Sequence, residues 1–119
     1  MTQWKFLWYP RCSTARKAKA WLEEHQIKFS ERDMIQDNPT AAELQAWHEQ
    51  SCLPIKKFVN TSGKKYRELQ LKDKIPQLSP KEIYELLSTD GMLVKRPILL
   101  GTGKVLVGFK EQEWQQTLL

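Results

Sequence analysis

The chain is poor in the residues that build metal centres and disulfide frameworks: its 119 residues include two cysteines and two histidines. Cys12, Cys52, His25 and His48 share no zinc-type spacing, and two thiols are too few for a disulfide scaffold. No apolar run approaches the roughly 18 residues of a membrane span. The stretch Met1 to Lys5 has no basic segment followed by an apolar one, so no secretory signal is expected. Repeats, low-complexity tracts and linkers are absent. Aromatic residues, by contrast, are plentiful: five Trp, four Phe and three Tyr, within 40% hydrophobic and 28% charged residues. That composition excludes a disordered chain. At 14.0 kDa the length suits one domain, residues 1–119, and a cytoplasmic location is expected.

Acidic residues are in deficit, 14 against 19 Lys and Arg, for a net charge of +5. A modest positive field favours anionic partners such as oxyanions, thiol tripeptides or acidic proteins. The densest cationic stretch is Lys64, Lys65, Arg67, Lys72 and Lys74, interrupted by Glu68 and Asp73. It reads as a solvated face. Neither direct nucleic-acid binding nor membrane binding is expected.

Strand and helix signals alternate along the chain. Trp4-Lys5-Phe6-Leu7-Trp8-Tyr9 is nearly all apolar, as in a strand covered on both faces. After the turn Pro10–Thr14, Ala15, Ala18 and Leu22 recur at helical spacing, with Trp21 beside them. Glu23–Gln26 ends that helix, and Ile27–Glu31 alternates as a second strand, which such a unit pairs in parallel. Asn38-Pro39 breaks the chain before a helix opened by Thr40 and Glu43, a capping box, with Leu44 and Trp47 on its apolar face. Ser79-Pro80-Lys81-Glu82 is a second box with proline at the first helical position, followed by Ile83, Leu86 and Leu87. Pro97–Leu100 and Lys104–Val107 flank Gly101-Thr102-Gly103 as a hairpin. Phe109–Leu118 closes as a helix. The order predicts an α/β fold: a thioredoxin-like mixed sheet, β-α-β then β-β-α, with a helical insert over roughly 38–90.

Cys12 carries the chemical signal. It follows a buried strand and precedes a helix, where free N–H groups and the helix dipole favour an anion. Arg11, Arg16 and Lys17 flank it, and Ser13 and Thr14 offer hydroxyl donors. Cysteines in such settings are the reactive ones, although a cysteine closing a strand also serves as a small apolar plug. Cys52, between a helix end and Leu53-Pro54, has no such setting. Pro97 opens a strand, commonly with a cis bond in this fold, and Arg96 before it can aim a planar fork at an anion beside Cys12. His25 and His48 read as exposed helix residues, and the tryptophans as core.

Tyr9-Pro10-Arg11-Cys12-Ser13-Thr14 with Arg16-Lys17-Ala18 resembles the active-site loop of the arsenate reductase (ArsC) and Spx family. Ala20–His25, Phe58–Gly63, Lys95–Leu99 and Val107–Phe109 continue the resemblance over essentially the whole chain. It implies a bacterial, thioredoxin-like protein. In the arsenate reductases of this type that use glutathione and glutaredoxin, one cysteine attacks the oxyanion and three arginines hold it. Cys12 matches that nucleophile and Arg96 the arginine before the proline; Arg11, Ser13, Thr14, Arg16 and Pro97 complete the expected anion site. Asn60 and Gly108 stand where the other two arginines would align. Spx regulators carry a C-x-x-C pair at this loop, where Ala15 replaces the second cysteine. They also have a glycine where Cys52 falls, in the region that meets the RNA polymerase α-subunit. No bound cofactor is implied, only glutathione or glutaredoxin as co-substrate. The resemblance thus implies a monothiol oxidoreductase or, alternatively, a polymerase-binding regulator without catalysis.

Overall fold

A computed structural model describes residues 3–119. In chain order it runs β1 (Trp4–Trp8), α1 (Ser13–Glu24), β2 (Phe29–Asp33), α2 (Ala41–Ser51), α3 (Lys64–Glu68), α4 (Leu71–Lys74), α5 (Pro80–Leu87), β3 (Ile98–Gly101), β4 (Lys104–Val107) and α6 (Glu111–Leu118). Short 3-10 turns lie at Ile55–Phe58, Ile75–Gln77 and Gly91–Leu93. Two units divide the chain: residues up to Asp33 with Arg96–Leu119, and Met34–Lys95.

The first unit holds one sheet in the order β2-β1-β3-β4. β1 and β2 are parallel, with Trp4 opposite Phe29, while β3 is antiparallel to both β1 and β4. This is the mixed β-α-β, β-β-α sheet that the sequence implies. Phe6 and Leu99 in the middle strands meet Ala18, Trp21 and Leu22 of α1 and Trp114 of α6 in one apolar core. Trp114 is fully buried, and its indole N–H donates to the Gly108 carbonyl at 3.2 Å, so its one polar atom is satisfied.

The element ends differ from expectation for local reasons. Helix α1 begins at Ser13 rather than Ala15, with Cys12 as its N-cap. The second strand starts at Phe29, not Ile27, because Ile27 still belongs to the end of α1. Gln26 is left-handed (φ 57°), its N–H donates to Glu23, and the Ile27 N–H donates to Leu22. That pair of bonds is a Schellman stop with glutamine in glycine's usual place. β3 begins at Ile98 because Pro97 has no N–H for the ladder. α6 begins at Glu111 rather than Phe109, after Gly108 turns the chain at φ 75°.

The second unit, Met34–Lys95, is helical. Both expected capping boxes form: Thr40 with Glu43, and Ser79 with Glu82. Leu44 and Trp47 of α2 and Ile83, Tyr84 and Leu87 of α5 are buried, as are Phe58, Val59, Leu93 and Val94. Val59 and Val94 form an isolated antiparallel bridge. Gly91 is buried against the start of the unit: a Cβ there would collide with the Met34 carbonyl oxygen and the Asn38 side chain. The cationic stretch folds as α3 and α4, with Tyr66 and Leu71 buried and the lysines exposed.

Both histidines depart from the expected exposed positions. His25 is half-buried as the C-cap of α1; its ring lies 4.2 Å from Trp21, and its Nδ1 is 2.8 Å from the Trp21 carbonyl. His48 is half-buried in the helical unit, with Nδ1 2.6 Å from the Tyr84 hydroxyl. Trp21 lies one helical turn before His25, so that contact is local, whereas Tyr84 is 36 residues from His48 and spacing within α2 does not reveal it.

Candidate active site

β1 ends at Trp8, and the chain turns sharply over Tyr9–Cys12, closed by the Cys12 N–H donating to the Tyr9 carbonyl at 2.9 Å. Pro10 suits such a turn because its φ is already fixed. Cys12 then caps α1 in an extended conformation (φ −88°, ψ 118°), and its carbonyl accepts the Arg16 N–H at 3.0 Å. The thiol makes no capping hydrogen bond, and no acidic residue lies in the first turn of α1. The first N–H groups of any helix lack intrahelical partners and carry the positive end of its dipole. Half-buried Cys12 therefore stands at the positive end of a 12-residue helix with no carboxylate of that turn competing for the position.

Arg96 comes to this loop from the other end of the first unit's sequence. The Arg96–Pro97 peptide bond is cis, and the buried Pro97 offers its carbonyl to the Gly108 N–H at 2.8 Å. The Arg96 guanidinium lies 5.4 Å from the centre of the Tyr9 ring, in cation–π range of the residue that opens the Cys12 turn. Tyr9 is thus a platform for the arginine. Its role is invisible in the sequence because the partner is almost the whole chain away.

Of the other expected residues, Arg11 lies exposed in the turn, and Ser13, Thr14 and Arg16 are exposed on the first turn of α1. Buried Ala15 fills the second-cysteine position of a C-x-x-C pair. Asn60 belongs to the helical unit, where its N–H donates to the Leu93 carbonyl and its side-chain amide to Met92. Cys52 is exposed as the left-handed C-cap of α2 (φ 57°), and both cysteines are free thiols. Among the described residues no group of three His, Cys, Asp or Glu side chains could hold a metal ion. The sheet also carries a hollow of about 820 Å³ at the opposite end of β1, between Trp4, Lys5, Lys28 and Phe29. It is remote from the thiol.

Lys19, on α1, reaches across to β2. Its ammonium is held 2.8 Å from Glu31 and 4.7 Å over the Trp8 ring. The hydrogen bond that Lys19 donates to the Glu31 carboxylate holds its pKa above the ordinary lysine value.

No helix among the described residues is long and apolar enough to cross a membrane. The chain is 51% identical over 111 residues to the uncharacterised protein YusI of Bacillus subtilis, covering 93% of this chain and 94% of that one. It is 33% identical over 107 residues to the global transcriptional regulator Spx 2 of Bacillus cereus, covering 90% and 80%. The crystal structure of an ArsC-family-related protein from Bacteroides fragilis superposes with a TM-score of 0.92 at 50% identity, covering 95% of each chain. The ArsC family model matches residues 7–117. The chain therefore belongs to the ArsC family and has its thioredoxin-like fold.

Proposed function

We propose that the protein is a monothiol oxidoreductase of the arsenate-reductase type. Cys12 is its nucleophile, and glutathione or a glutaredoxin is its reductant. The observation that supports this reading is the turn itself: a half-buried cysteine starts α1 while Arg96 lies over Tyr9 of the same turn. A small oxyanion beside Cys12 meets helix N–H groups, the Ser13 and Thr14 hydroxyls and the cations Arg11, Arg16 and Arg96.

The Cys12 sulfur attacks arsenic(V), forming an S–As bond as water leaves. A glutathione thiolate then attacks the Cys12 sulfur. The S–As bond breaks with its electron pair going to arsenic, which departs as arsenite, arsenic(III). Cys12 is left as a mixed disulfide with glutathione. A second thiol, from glutathione or a glutaredoxin, takes the glutathione sulfur and returns Cys12 as thiolate. Two thiols lose one electron each, and arsenic gains both. Ala15 leaves no second thiol in this loop, which favours an external reductant.

In arsenate with glutathione and glutaredoxin, wild type and Cys52→Ser are expected to form arsenite, and Cys12→Ser none. Arsenite formation undiminished in Cys12→Ser, or absent from wild type, overturns the reading.

The 33% identity to Spx 2, with Asn60 and Gly108 at two expected arginine positions, favours a second reading. In it the chain is a regulator that binds the RNA polymerase α-subunit without catalysis. Pull-down of that subunit by purified protein, unaffected by Cys12→Ser, distinguishes it from a reductase.

A further inference from the structure

We propose that the Met34–Lys95 unit carries a docking groove for an acidic protein segment with apolar anchors, centred on Leu78 and rimmed by Lys56, Lys72 and Lys74. Leu78 lines two neighbouring hollows. One, of about 260 Å³, is lined by the buried Tyr66, Ile75 and Ile83 and the half-buried Ile55. The other, of about 350 Å³, is bounded by Leu69, Leu71 and Leu86. Leu69 is 39% exposed, one of two large apolar side chains left in solvent among the described residues. A lone exposed leucine is ordinary, but this one lines the second hollow and adds to its apolar surface.

The groove is preformed. The Leu78 N–H donates to the Ile75 carbonyl at 3.0 Å, closing the turn before it. Pro76 and Pro80 fix φ on either side, and the Ser79–Glu82 box anchors the backbone that follows. A partner therefore orders its own side chains and not the receptor, which lowers the entropic cost of binding.

Charge chooses the partner. Lys56 and Lys72 line the first hollow and Lys74 the second. All three are exposed, and among the described residues none is in an ion pair, whereas Lys64 and Lys65 are held by Glu68 and Asp90. Asp73, between two of them in sequence, lines neither hollow. Two adjoining apolar sockets under a lysine rim suit an amphipathic helix with leucine-like anchors and flanking carboxylates. The lysines attract such a segment and repel a basic one.

The test uses a dye-labelled peptide of glutamates and leucines, with leucine pairs at helical spacing, and a control with lysine for glutamate. Anisotropy with the full chain is expected to show saturable binding of the acidic peptide alone. Amide shifts should concentrate on residues 55–86. Lys72→Glu combined with Lys74→Glu is expected to weaken binding by about tenfold or more, with circular dichroism unchanged. Leu69→Ser, at an exposed site, should weaken it without charge reversal. No saturable binding, equal binding of the basic peptide, or shifts confined to the sheet unit overturns the proposal. So does displacement of the acidic peptide by phosphatidylglycerol vesicles, which would make the patch a membrane surface. None of these readouts depends on the thiol chemistry of Cys12.

Discussion

Arg96 sits half-buried with its guanidinium against the Tyr9 face, a contact that limits its freedom before any ligand arrives. An arginine held this way loses less entropy when it grips an oxyanion, and its planar fork makes two parallel hydrogen bonds that a lysine cannot. Arg96→Ala is expected to weaken protection of Cys12 from alkylation by arsenate or sulfate. Charge-assisted bonds contribute on the order of 1.5–3 kcal/mol, so the protecting concentration should rise roughly tenfold or more. Arg96→Lys should recover only part of this. Unchanged protection in Arg96→Ala would remove Arg96 from the anion site. Cys12, Arg96 and Pro97 were legible as candidates because a strand end, a helix start and an Arg-Pro pair are local signals. Tyr9 was not, since its role depends on a partner brought in by β3.

The two capping boxes show how far local sequence can specify an element. Thr40 and Glu43, and Ser79 and Glu82, exchange the expected pairs of bonds, with the Ser79 N–H 2.9 Å from the Glu82 carboxylate. That backbone hydrogen bond, followed by the Ser79 hydroxyl, lowers the Glu82 pKa below its ordinary 4.5. A depressed carboxylate favours the folded state above the unfolded value, and the benefit is lost as pH falls through the folded one. Glu82→Gln keeps the bonding pattern without the charge. The gap between its urea midpoint and that of wild type at pH 7 is expected to close as pH drops below 4.5. A gap independent of pH would mean that the charge contributes nothing. The end of α1 was less legible, because Gln26 takes the left-handed position that glycine usually announces. So were α3 and α4: Tyr66, Leu71 and Ile75 follow no single helical period, and a left-handed Gln70 separates the helices.

At the scale of the whole molecule, the sheet is assembled from two distant stretches, with Lys5 of β1 facing Leu100 of β3. The strand–helix–strand opening and the hairpin were each readable alone, because each is local. The middle of the chain was readable only where a cap marked it. Gly91, buried against the Met34 carbonyl, bears on how the two stretches find one another. Pairing β1 with β3 means closing a loop of about 95 residues, a long-range step of the kind that slows folding. If Met34 and Gly91 meet first, most of that loop is already bypassed. The shortening is worth about 1 kcal/mol in loop-closure entropy, or several-fold in rate. Gly91→Ala puts a methyl group where backbone stands and should cost roughly 1–3 kcal/mol. Stopped-flow refolding of Gly91→Ala is expected to slow several-fold. Faster unfolding at an unchanged refolding rate would instead put this closure after the sheet has formed. A single missing side chain then acts as a shortcut in conformational search, setting which distant segments meet early and how long the unpaired edge of β1 stays open to the wrong partner.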